Sequence, residues 1–178
     1  IRIDRAAIDF RPELLRRDFR QAGKPAAVLE WTDKHYLSKE RTPKDLNWGH
    51  AFHDWYEKYA KDKPELFALD PDGRITPWAN DPTRAKLRIS SPAVMDAIKD
   101  DYIRRGMPDF ICLSPTDSAG YDTSEASMAL DPEPYSKADV WAGKVNLTDR
   151  HVKYWNSVLA ELRKWNPKLG VAVYAYAA

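Results

Sequence analysis

Cysteine is almost missing from this chain. Its 178 residues include one, Cys112, so an internal disulfide is excluded, and a lone thiol says little about compartment. An excess of charge of one sign is missing too. The 28 basic and 27 acidic residues leave a formal net charge of +1, which gives no electrostatic case for nucleic acid or an anionic membrane. No apolar stretch approaches the ~20 residues needed to span a bilayer, so no membrane insertion is expected. A glycine-rich phosphate loop, a GxSxG elbow and an HExxH pair are all absent, which argues against nucleotide-binding, serine hydrolase and zinc protease readings. The chain starts at Ile1 without a signal-like segment and stops just after an apolar run. The expectation is one domain over 1–178 that is a piece of a longer polypeptide.

Aromatics and proline are plentiful. Seven Trp, nine Tyr and thirteen Pro imply stiff connections carrying large rings. Such rings fill the core of a loop-rich domain, or they line a cleft that stacks sugar faces.

The most informative stretch is 109–121. Phe110 to Ser114 is a short apolar run closed by Pro115, Asp117, Ser118 and Gly120, the pattern of a strand buried on both faces. Within it Cys112 reads as inert core. Asp117 then follows the carboxyl end of a buried strand, where α/β folds place their ligands. It is either a working carboxylate or a turn residue bonded to its own backbone.

Around that stretch the elements alternate. Pro12 to Gln21 reads as a helix and 26–31 as a strand. Residues 56–62 are helical in composition, and Asp70-Pro71-Asp72-Gly73 turns a small hairpin between 66–69 and 74–76. A strand at 86–89, a helix from Ser91-Pro92 to Gly106 and the strand at 110–114 form one βαβ unit. A long loop over 115–147 leads to a helix capped by Thr148, with Val152, Trp155, Leu159, Leu162 and Trp165 as its buried stripe. A strand over 170–176 completes a second unit. The predicted class is α/β: part of a (β/α)8 TIM-type barrel, with an open doubly wound sheet as the alternative.

Other candidates lie near these elements. His50 and His53 are three apart and would share a helical face. A metal would need a third ligand, and none has distinctive spacing, so no metal is expected; a substrate hydroxyl or a structural role remains for each. Arg88 either clamps a carboxylate or forms a salt bridge between layers. Tyr174 and Tyr176 point the same way from the last strand. Trp48, Trp78, Tyr121 and Trp141 fall on predicted loops and are candidates for sugar stacking.

Four blocks in order resemble a bacterial domain family of unknown function: Gly49-His50-Ala51-Phe52 running on to Asp72-Gly73; Leu87 to Val94; Leu113 to Ser118 with Gly120-Tyr121 and Ala129-Leu130-Asp131; and Asp149-Arg150 through Asn156 to Val171–Tyr176. The resemblance covers roughly 49–178. That family is distantly similar to the barrels of α-glucuronidases and hexosaminidases, and its members occur in large, often exported proteins. The resemblance therefore implies a glycoside hydrolase fold, a carbohydrate partner and a secreted or periplasmic setting; separately, no cofactor is expected. A cysteine-rich patch common in the family is replaced here by Asp122, Ser124 and Ser127.

Glycoside hydrolysis uses two carboxyl groups flanking the bond. Asp117 is the first candidate and Glu125 the second, with Asp122 also near in sequence. Asp131, before Pro132, reads as a turn residue. A partner beyond residue 178 and substrate-assisted chemistry stay open. The alternative function is a non-catalytic carbohydrate-binding or scaffold barrel; a third is a structural module without a ligand.

Overall fold

Burying the apolar stripes of two long helices against a pair of parallel strands organises the molecule. The computed structural model describes residues 49–174. The elements read from sequence at 12–21 and 26–31, with Trp48 and Tyr176, lie outside the described residues.

The chain enters through helix α1, Trp55–Tyr59, and a 3-10 turn at Pro64–Leu66. Asp70 then reverses it. Its Oδ1 accepts the amides of Asp72 and Arg74 at 3.0 and 2.9 Å, and Gly73 takes a positive φ of 80°. The expected turn is present, but its arms do not pair as a hairpin. Phe67 bridges Leu87 instead, antiparallel, with Ala68 N–H donating to Lys86 O and Arg88 N–H to Leu66 O. Residues 86–88 therefore pair with the chain before them, and the first βαβ unit read from sequence is not formed. Both bridging side chains are buried, Phe67 at 2% exposure and Leu87 at 8%, so tertiary packing decides this pairing over the local pattern.

Helix α2 is Pro92–Arg104, with Val94, Ile98 and Tyr102 inward at helical spacing. Pro92 occupies its first turn, as expected, but the Ser91 side chain makes no capping bond. At the other end Gly106 has φ 80°, its N–H donates to Ile103 O, and Met107 N–H donates to Tyr102 O. That pair of bonds is a Schellman closure, which needs a left-handed residue where glycine stands.

Strands β1, Phe110–Cys112, and β2, Gly170–Ala172, are parallel, with Ile111 opposite Val171. A side chain at Gly170 would place Cβ 2.6 Å from the Phe110 ring, so close approach fixes glycine there. Within β1, Ile111 is buried while Phe110 and Cys112 are half-buried. The strand is thus covered fully on one face and partly on the other. Cys112 is outside the apolar core; its Sγ lies 2.8 Å from Gly49 O.

Between the strands run α3, Glu125–Met128, α4, Lys137–Trp141, and α5, Thr148–Leu162. Asn146 Oδ1, rather than Thr148, accepts the first helical amide of α5 at 2.9 Å. The α5 stripe differs from expectation. Arg150, Tyr154, Val158 and Leu162 are buried, whereas Val152 and Trp165 are 41% and 56% exposed. The helix is turned so that a charged residue faces inward, because Arg150 has a buried partner. Its guanidinium forks onto Asp131, both side chains only 1% exposed, and Nη1 donates to Asp122 O at 2.7 Å.

Parallel strands joined by a helical crossover place the chain in the α/β class. This two-stranded sheet is the one found among the described residues. No described helix is long and apolar enough to cross a membrane.

Candidate functional site

Three segments converge at the carboxyl end of β1. Ala51 N–H donates to Ser114 O at 2.8 Å. Tyr174 N–H donates to Ser114 Oγ at 2.8 Å. Trp155 of α5 donates its indole N–H to Leu113 O at 3.1 Å. Ser114 is fully buried, so its hydroxyl and carbonyl act as a fixed hub for the rim.

On that rim stands Asp117. Its side chain is 70% exposed, and Oδ2 lies 3.8 Å from His50 Nε2. His50 Nδ1 is 2.7 Å from Pro115 O. A carbonyl only accepts, so Nδ1 carries the hydrogen and Nε2 is the atom turned to Asp117. The His50 ring also packs on Tyr174, centroids 4.7 Å apart. A carboxylate and an imidazole held this way can share or exchange a proton with a ligand between them.

Beneath Asp117 lies Lys86, 5% exposed. Its Nζ donates to Thr116 O at 2.5 Å, Ser118 Oγ at 3.1 Å and Thr116 Oγ1 at 3.3 Å, and sits 4.6 Å from the Tyr121 ring centroid. Burial pushes the Lys86 amine down to about 7, against a smaller upward pull from Asp117. Tyr121, pushed up by burial and by the Asp117 charge, stands edge-on to His151, centroids 5.6 Å apart. A hollow of about 30 Å³ is lined by Lys86 and Tyr121 together with Arg150, His151 and Tyr154 of α5. Burial pushes His151 down and Tyr154 up.

Two further rings flank this region. Trp78 and Trp141 stand 5.9 Å apart. Gly120 fits against them, where a Cβ would be 3.0 Å from Trp78 Cβ, and its N–H donates to Trp141 O at 2.8 Å. Thus Asp117, His50, Tyr121 and Tyr174 form one cluster. Trp141 and Trp78 are tied to it through Gly120, next to Tyr121 in the chain.

The remaining candidates stand apart. Arg88 directs Nε to Phe67 O at 3.2 Å and so braces the bridge. His53 is exposed, in the turn before α1. Glu125 is exposed in the first turn of α3. Asp122 is 3% exposed, accepting Leu69 N–H at 2.7 Å and the Ser124 hydroxyl at 2.5 Å. Ser127 adds a 2.8 Å bond to Ser90, so Asp122, Ser124 and Ser127 build a hydroxyl–carboxylate network. Asp131 is held by Arg150. No group of three His, Cys, Asp or Glu able to hold a metal occurs among the described residues.

Sequence reasoning passed over Lys86, Arg150, His151 and Tyr154. Lys86 and Arg88 alternate with Leu87 and Ile89, the pattern of a half-solvated strand, so nothing local marks Lys86 as buried.

Fold and rim together define an α/β domain with a carboxylate–imidazole pair over a buried lysine. The chain belongs to a family described as a domain of unknown function (DUF4838), whose model matches residues 1–178. No curated protein matches it, and no solved structure does.

Proposed function

We propose that this chain is part of a (β/α)-barrel glycoside hydrolase acting on a polysaccharide or glycan, with Asp117 as one of its working carboxyl groups. The observation that carries the reading is the position of Asp117: largely exposed, after the carboxyl end of β1, with His50 Nε2 3.8 Å away. Catalytic groups of α/β barrels gather at that edge. Asp117 would act on the sugar directly, as base, nucleophile or stabiliser of developing positive charge. His50 would orient it or bond a sugar hydroxyl. Tyr174, Trp78 and Trp141 supply ring surface near the rim.

The second reading is a carbohydrate-binding barrel without turnover. It is favoured by the engagement of two nearby acids: Asp122 is bonded into the loop network and Asp131 into the Arg150 pair. Glu125, exposed in α3, stays the second candidate acid of the hydrolase reading.

Incubating the intact protein with a panel of aryl glycosides and with a glycan array separates these readings. Turnover that falls by about 10³-fold or more in Asp117→Asn supports the hydrolase. Glycan capture without turnover supports the binding module. Neither turnover nor capture refutes both.

A further inference from the structure

We propose that Lys86 is a positioning residue for Asp117, its ammonium locked beneath the Thr116–Ser118 loop and fixing where the carboxylate stands. This rests on the carbohydrate reading and adds a residue to the same site.

The stem of Lys86 is anchored first. Its carbonyl accepts Ala68 N–H at 2.9 Å, and Leu87 beside it bridges Phe67. From that base the side chain reaches the residues on either side of Asp117: the Thr116 carbonyl and hydroxyl, and the Ser118 hydroxyl. Tyr121 covers the ammonium with its ring face. The same two segments are laced again by Ser118 Oγ, which donates to Arg84 O at 3.0 Å. Thr116 is buried and Ser118 half-buried, while Asp117 between them turns outward.

A lysine that only filled space would not aim its donors at both neighbours of an exposed acid. Charge-assisted bonds to these oxygens hold the loop more firmly than neutral ones would. The charged and titratable groups around the ammonium are Asp117, Tyr121 and Asp122 of the 116–122 stretch, and Arg150, His151 and Tyr154 of α5, which share its hollow. Burial also brings Lys86 to about 7, so the grip on the loop changes near neutrality. A 1 Å displacement of a reacting group is enough to cost about 10²-fold in rate.

The test compares the intact wild-type protein with Lys86→Met, and with Lys86→Gln should the first fail to fold. Carbon-detected NMR follows the Asp117 carboxyl with pH. The expected result is that the substitution moves the Asp117 carboxyl resonance and the signals of 116–118, and alters the pH response of that carboxyl near pH 7, where Lys86 titrates, while the signals of α2 hold. With a hydrolysed aryl glycoside, kcat falls by about 10²-fold and KM stays within about threefold. An Asp117 carboxyl unaltered by the substitution overturns the positioning role, as does unchanged kcat in a protein that turns over. If the Asp117 carboxyl and the 116–118 signals move on substitution, but no glycoside is cleaved by wild type, the positioning role is supported and the hydrolase reading fails.

Discussion

Lys86 also makes a sharp thermodynamic prediction. In an unfolded chain its amine has the ordinary value of 10.5; burial in the fold brings it to about 7, a difference of about 3.5. The folded value of this base is depressed, so between pH 7 and 10.5 the unfolded chain binds the extra proton. Stability from this group therefore rises with pH across that window. It is flat below pH 7, where both states are protonated. Integrating the two titrations from about pH 6 to about pH 9 gives a gain on the order of 2–3 kcal/mol. In Lys86→Met the gain is absent, while the other groups titrate nearly as before. The stability of wild type minus that of the variant should thus climb by about 2–3 kcal/mol across those three pH units. Urea melts at matched ionic strength measure it. The lost hydrogen bonds set the offset between the two proteins, not the slope. A difference that stays flat, or that falls with pH, would show that the bonds to Thr116 and Ser118 hold the ammonium near its ordinary value, and would refute the burial argument.

Two other perturbations follow from α5. Arg150→Ala leaves the Asp131 carboxylate buried without its partner and should cost about 3–5 kcal/mol, whereas replacing both residues by apolar ones of similar size should recover most of that; chemical denaturation of the single and double variants checks it. The Tyr154 hydroxyl is buried with no hydrogen-bond partner among the described residues. Tyr154→Phe should therefore leave stability unchanged or raise it by about 1–2 kcal/mol. A loss of comparable size would mean that the hydroxyl is bonded, for example through an ordered water in the adjoining hollow.

How far the sequence reached depends on whether the deciding interaction was local. Helix α2 was legible because Pro92, the Val94–Ile98–Tyr102 spacing and Gly106 each act within a few residues of where they stand. The pairing of β1 with β2 was legible because both are short apolar runs separated by a helical pattern. The strand at 86–89 was misassigned because its partner is chosen by burial of Phe67 and Leu87, which no local pattern records. The α5 stripe was misread because arginine inside a helix reads as solvated unless its acid is known, and Asp131 lies nineteen residues earlier. In the site, Asp117 and His50 are each singled out in the sequence, one by a strand end and one by a His-rich block, but nothing local pairs them; their 3.8 Å approach comes from the fold. Lys86 was missed for the same reason as Arg150: a charge is placed inside by neighbours distant in sequence.

The long connection between the two strands bears on how the molecule is made. Cys112 and its sheet partner Ala172 are 172 − 112 = 60 residues apart, so a nascent chain presents β1 with that edge bare until the whole crossover has been synthesised. An unpaired edge is where foreign strands add. During this interval the Ser114 carbonyl can already accept the Ala51 amide, while its hydroxyl still lacks the Tyr174 amide. Chains stalled with Gly170–Ala172 still inside the ribosome should therefore be more susceptible to intermolecular association than those stalled far enough on for β2 to have emerged and paired.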